Sequence, residues 1–557
     1  MSRLTTLLAW SLVACHGNVE AAPPFEIVTP PVPDAAPSLC DPADRGRSHR
    51  DSRRLTRREF ERTLTALFGP SLEDEVSRAM PLFPEEAFDV PEVPKDFLPE
   101  SLPRAVSEAH VDAMIQASTD LARRAAADPE FLAQYGCPMP LERACVATLL
   151  RNFTARAHRR PTDEAELERR LRAWDETGDL ASLLQATLLS PRFAMLLEDG
   201  GEADGERVRL SDFEVAVRIS YAAVEGPPDD LLWSAAELGE LQTVEQVRAH
   251  VERLLESEAG RARVRRFFRS WMEIDPTSRA AVSDAFRGET DSARLYEDAL
   301  ADFDRFVDYV VWELEGTVDD LFTDRTVFPS SAELAELYGV VGSDGEPQFA
   351  STPHQGILLR AATLIGGLND SPIILRGVFL RRRILCDTLG AADFDGNTPS
   401  EDDPAFLDRS VHPNRDVVAY RTRDEACMRC HAFINPLGFA LEAFDSLGRF
   451  RTEDRVFDAE DLPSAAHPIE TRAEALAIED GARDEVDSAG ELVEALLESD
   501  KLRECAGRTL LRFHAMREDG PDDVCLLEEQ SALARSATVR ELLVHGIANE
   551  DIFWRNL

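Results

Sequence analysis

The sequence has no apolar run long enough to cross a bilayer. The mostly apolar stretch Leu4 to Val13 falls well short of the roughly 20 residues that a spanning helix needs. Positive charge is also scarce, with 61 Lys and Arg against 104 Asp and Glu and a formal net charge of −43. That balance excludes DNA, RNA and anionic lipid headgroups as the main partner. It leaves room for a basic redox partner or a cationic substrate. Equally absent are a phosphate-cradling glycine loop, a G-x-S-x-G elbow and an H-E-x-x-H helix. There is no second Cys-x-x-Cys and no His-x-x-x-His, so a four-ligand zinc site cannot be assembled from motifs. No short-period repeat is visible.

Strand patterns are scarce as well. The β-prone pieces at 25–32 and 348–351 are too short and isolated to predict a sheet. Helix signals dominate instead. Thr56 and Glu59 form a capping box ahead of an apolar stripe, Phe60, Leu64, Leu67 and Phe68, which Gly69-Pro70 stops. The same start signal recurs at Ser211…Glu214, Thr243…Gln246, Ser330…Glu333, Ser488…Glu491 and Thr538…Glu541. The expected fold is mostly α: a multidomain helical protein with an embedded cytochrome c-like haem segment.

That segment is Cys427-Met428-Arg429-Cys430-His431. Two cysteines three apart, with a histidine directly after the second, are the attachment signature of a c-type haem. The thiols add to the two vinyl groups on the porphyrin edge, and the imidazole takes one axial position of the iron. On a helix, positions i and i+3 share a face, which suits two bonds to one ring. A plain disulfide, a vestigial site and zinc are the competing readings.

The N-terminus points to export. Arg3 supplies a positive start, Leu4 to Val13 a short apolar core, and Leu12-Val13-Ala14-Cys15 resembles a bacterial lipobox in which Cys15 is acylated, with an ordinary cleavable signal as the competing reading. The resemblance implies an outer-membrane lipoprotein, since His16 rather than Asp follows, facing the periplasm or the cell surface. Lipid on Cys15 is then the membrane attachment. Residues 15–50, rich in Pro and Ala, read as a tether. Haem attachment and disulfides both belong outside the cytoplasm. Six cysteines remain: Cys40, Cys137, Cys145, Cys386, Cys505 and Cys525. They allow fifteen pairings in principle. Proximity favours Cys137 with Cys145 and Cys505 with Cys525, leaving Cys40 to Cys386.

Breakers divide the rest into helical modules at 51–118, 119–200 and 207–325, a haem module at 350–455 and a last module at 485–557, reached by an acidic, Ala-rich linker. Arg54-Leu55-Thr56-Arg57-Arg58-Glu59-Phe60, Ala157-His158-Arg159-Arg160-Pro161-Thr162 and Leu210-Ser211-Asp212-Phe213-Glu214 carry a resemblance, as do Phe267-Phe268-Arg269-Ser270-Trp271 and Ser371-Pro372 through Gly377. In that order they resemble a multidomain family widespread in planctomycetes and myxobacteria. Its modules are largely domains of unknown function built around a cytochrome c-like segment. The resemblance implies an exported haem protein without an assigned substrate. Asn435 stands where that family leads us to expect Asp, Tyr420 where His is expected, and a proline run expected after Cys386 is absent.

Further residues are weighed one by one. Pro436 offers a carbonyl or a fixed turn to orient His431, or simply breaks the helix. Met516 is the methionine after the motif and the candidate sixth iron ligand, with His514, His354 and His412 as alternatives. Arg376 and Arg449 are candidates for haem propionates, against the blander reading of local ion pairs with Glu442 or Asp445. Arg381-Arg382-Arg383 reads as a solvated helix face or a docking patch. Trp233, Trp271 and Phe267-Phe268 read as core. The expected function is electron transfer, or haem-dependent oxidation of a periplasmic or surface substrate. The alternative is a surface binding or structural lipoprotein whose Cys-x-x-Cys is a disulfide or a vestige.

Overall fold

The computed structural model describes residues 40, 52–84, 106–201, 203–274, 282–368, 371–389, 407–458, 462–479, 481–517 and 519–556. The expected signal segment, Cys15 and nearly all of the tether lie outside the described residues. The chain is mostly helical, and no helix among the described residues is long and apolar enough to cross a membrane. It forms two compact units. The flanking unit comprises Ser38–Phe267, Gly507–Gln530 and Glu541–Leu557, and the central unit includes Phe268–Ala506 and Ser531–Arg540.

The flanking unit opens with α1 (Arg57–Phe68), capped by Thr56 and Glu59 as the sequence predicts and closed by Gly69 at φ 72°. Glu59 also takes two bonds of 2.7 Å from Arg53. The apolar face of α1 packs with α2 (Glu108–Ala125), α3 (Arg143–His158) and α4 (Leu180–Leu188) around a buried core. Phe68, Phe131, Tyr135 and Phe153 lie there with ring centroids 5.1 to 6.1 Å apart, in tilted, stacked and edge-on contacts. Arg159 ends α3 in the left-handed region, φ 57°. Its guanidinium donates to the carbonyls of Arg192, Phe193 and Met195 at 2.6 to 2.9 Å. Next come α5 (Asp212–Val224) and α6 (Glu258–Trp271). Residues Trp554–Asn556 pair antiparallel with Arg207–Arg209, with Trp554 opposite Arg209. Trp233 and Phe267 are buried, as expected of core.

In the central unit α7 (Ser292–Asp308) carries Asp302, which is almost fully buried. Asp302 accepts from Arg360 at 2.7 Å, from the Tyr338 hydroxyl at 2.7 Å and from the Phe328 amide at 2.7 Å. Tyr338 closes α8 (Ala332–Tyr338), whose cap is Ser331 and not the Ser330 expected from the spacing. The next helices are α9 (Ile373–Phe379), extended by a π-turn over Leu380–Ile384, α10 (Asn414–Arg421) and α11 (Glu425–Phe439). Trp271 and Phe268 are buried.

Two sequence expectations about strands fail. Gln348–Phe349 does pair, antiparallel to Thr326–Val327. The supposed linker holds a hairpin of Glu453–Phe457 with Pro463–Pro468, followed by a pairing of Ala473–Glu474 with Glu485–Val486. Small alanines and exposed acids hid the strands, because only one side of the hairpin is covered.

The disulfides are Cys137–Cys145, Cys40–Cys525 and Cys386–Cys505. The first is the expected local one, and the other two replace Cys505–Cys525 and Cys40–Cys386. Closeness along the chain does not decide pairing. What matters is whether the fold brings two Cα atoms within about 4.4 to 6.8 Å. The observed separations are 4.6 Å for Cys40–Cys525 and 5.3 Å for Cys386–Cys505.

Candidate functional site

The haem motif lies on α11, which starts after Asp424 and places Cys427, Cys430 and His431 at i, i+3 and i+4. Cys427 is buried, and Cys430 and His431 are half-buried. Neither cysteine is in a disulfide. Among the described residues no group of three His, Cys, Asp or Glu side chains converges to hold a metal ion.

A short polar relay fixes the imidazole. The Thr422 hydroxyl donates to the Val418 carbonyl at 2.9 Å, so its oxygen accepts the Asn435 amide at 2.8 Å. That bond turns the Asn435 carbonyl oxygen toward His431 Nδ1, 2.9 Å away. An amide oxygen only accepts, so Nδ1 carries the proton and the lone pair is left on Nε2. Burial holds the His431 imidazole below its ordinary pKa, with the Asn435 bond opposing, and so favours the neutral form that can ligate. The orienting group is Asn435, four residues on and one helical turn away, and not Pro436 as expected. Pro436 sits inside α11 and contributes no N–H to the helix ladder.

The helix is seated by two glycines. A Cβ on Gly377 of α9 would lie 2.1 Å from the Ile434 carbonyl oxygen, and one on Gly438 of α11 would lie 2.0 Å from that of Ile373. The two helices cross closely enough that only glycine fits at either point.

The arginines around this helix serve the backbone. Arg376 donates to the carbonyls of Leu441, Phe444, Leu364 and Asp445 at 2.6 to 3.0 Å and to the Ser371 hydroxyl. Its donors are thus committed within the protein, which overturns the propionate reading for this residue. Arg449 pairs with Asp445 at 2.7 Å, the local ion pair expected as its alternative. Arg381 and Arg383 are buried, which overturns both the docking patch and the solvated face. Arg381 reaches the carbonyls of Phe433, Leu476 and Ala477 as well as Asp387, and Arg383 pairs with Glu273 at 2.7 Å. Only Arg382 of the three is exposed.

The candidate sixth ligands fall in different places. His354 is buried, with Nδ1 2.7 Å from the Thr352 hydroxyl and Nε2 2.8 Å from the Gly448 carbonyl, so both ring nitrogens are committed. His412 is half-buried in the turn before α10. Met516, at φ 53°, and His514 belong to the flanking unit, whereas His431 belongs to the central one.

Glu442 lies just beyond α11 and forms no ion pair with Arg376 or Arg449. It is buried, and its Oε2 has no hydrogen-bond partner. Burial first, and the Asp454 carboxylate second, push its pKa up to about 7 against the pull of Arg415, Arg451 and Arg409.

Comparison with known families places residues 210–340 in PSD4, a protein of unknown function (DUF1592), and residues 354–454 in PSCyt3, a protein of unknown function (DUF1588). These are planctomycete cytochrome c-like serial domain families of unknown function, and the second span includes Cys427, Cys430 and His431. They fall on the third and fourth of the modules expected from the resemblance. No curated protein and no solved structure matches the chain.

Proposed function

We propose that the chain is an exported, outer-membrane-anchored c-type haem protein that carries electrons or oxidises a substrate outside the cytoplasm. Cys427 and Cys430 hold the haem covalently, His431 ligates its iron, and Cys15 bears the lipid. The observation that supports this reading is the relay from Thr422 through Asn435, which holds His431 Nδ1 and leaves the Nε2 lone pair for a metal, on the helix that also carries Cys427 and Cys430. When bound, the haem supplies one-electron chemistry by cycling between ferric and ferrous iron. The protein's part is to keep the imidazole from turning and to keep its Nδ1 proton in place. Three disulfides fit the same compartment, since such bonds persist outside the cytoplasm.

The test is the exported protein itself. The expected result is a mass raised by one porphyrin and reduced-haem absorption bands that survive denaturation. A mass equal to that of the bare acylated chain overturns the proposal. Carbon monoxide binding to the reduced form then separates substrate oxidation at an open axial site from electron carriage with both axial sites filled. Met516→Leu tests the sulfur donor that the sequence offers: an unchanged ligand-field spectrum removes it.

A further inference from the structure

A second charged centre lies in the flanking unit, around Glu225. This residue caps the C-terminus of α5 in the left-handed conformation, φ 53°, a position where glycine is the usual choice. Its carboxylate receives Arg263 at 2.7 Å and also Arg266. Arg263 is buried and fully engaged, with further bonds to the carbonyls of Ala222 at 2.6 Å and Phe513 at 3.4 Å. Arg62 reaches in from α1 and donates to the Val224 carbonyl at 2.8 Å, its one hydrogen bond among the described residues. Arg58, one turn earlier on α1, adds a fourth guanidinium to the field at Glu225.

The balance is unusual for this chain. Acids outnumber bases over the whole sequence, yet here four arginines act on Glu225, and the second carboxylate nearby, Glu59, is taken up by Arg53. Burial, together with Arg58, Arg263 and Arg62, outweighs Glu225 and pushes Arg266 down to about 9. Like charges held this close favour any further negative group that enters. Arg58, Arg62 and Arg266 are all half-buried, so solvent reaches them. Arg62 and Arg266 each keep guanidinium N–H groups beyond the single bond described. Planar guanidinium forks of this kind bind carboxylate, phosphate and sulfate through paired hydrogen bonds.

We propose that Arg58, Arg62 and Arg266, set around the Arg263–Glu225 pair, form a binding site for an oxyanion group of a ligand. The site is independent of haem attachment and stands or falls without it. Its place in an acidic protein makes it selective: bulk anions are repelled by the chain, and only one that can use the paired donors is retained.

The experiment is calorimetric titration of the full chain with inorganic phosphate, sulfate and glucuronate, against sodium chloride at the same ionic strength. Binding of at least one oxyanion beyond the chloride control is expected. Preference for phosphate and sulfate marks a tetrahedral group as the ligand, and preference for glucuronate marks a carboxylate. Arg62→Gln and Arg266→Gln are each expected to weaken binding by about tenfold, the effect of losing one charge-assisted contact. Arg62→Gln gives up only one backbone bond, so it retains the fold if Arg266→Gln does not, and circular dichroism checks both. Heats no larger than chloride's for all three anions overturn the proposal, as does Arg62→Gln that is folded and binds as tightly as the parent.

Discussion

Replacing Glu442 with Gln isolates the energetic role of a buried acid just beyond α11. The carboxyl is 2 % exposed, and its pKa is raised from the ordinary 4.5 to about 7. The folded state therefore holds the proton more tightly than the unfolded state. Each tenfold change in proton affinity is worth about 1.4 kcal/mol, so ionising this group costs the fold roughly 3 kcal/mol. The sign follows from which state holds the proton. The favourable contribution is complete below about pH 4.5 and is lost as pH rises through about 7. Gln has the shape of the protonated acid and does not titrate. Parent and Glu442→Gln are expected to unfold at similar denaturant concentrations at pH 5. At pH 8 the variant is expected to be more stable by an amount on the order of 2 to 3 kcal/mol. Chemical denaturation of both proteins across this range, read as the difference between them, cancels every other titrating group. A difference that stays constant with pH would refute the reasoning, because it would mean that Glu442 is ionised, or neutral, throughout.

Two other perturbations follow from the central unit. Asp302→Asn keeps the side-chain shape but leaves the buried Arg360 guanidinium without its countercharge. It is expected to cost about 3 to 5 kcal/mol by chemical denaturation, against about 1 to 2 kcal/mol for Tyr338→Phe, which removes one hydrogen bond. Equal costs for the two would show that the charge is not what matters there. Asn435→Ala removes the acceptor at His431 Nδ1 and is expected to populate the other imidazole tautomer, as read by nitrogen NMR of histidine-labelled protein. An unchanged tautomer would mean that Asn435 does not set it.

Much of the site was readable from neighbouring residues. Cys427, Cys430 and His431 lie within one turn and a third of helix, so their shared face follows from helical geometry alone. Asn435 was readable too: its i+4 spacing from His431 places it on the same face, a stronger local signal than the adjacent proline. Thr422 was not readable, because it lies outside α11 and reaches Asn435 only through the turn that joins α10 to α11. Arg376, Arg381 and Arg383 were misread for a related reason. A charged residue on a helix defaults to solvent, and only the fold shows backbone carbonyls from distant segments placed beside it.

The sequence by itself determined the helical character of the chain, the capping of α1, α5 and other helices, and the spacing of Cys427, Cys430 and His431. Each of these depends on bonds or contacts within about one helical turn, where position along the chain is position in space. The tertiary structure alone decided the partners of Cys386 and Cys40, the seating of α11 on α9 through Gly377 and Gly438, and the gathering of arginines at Glu225. Those features join residues far apart in the chain, and the spacing of residue types carries no information on which distant segments pack together.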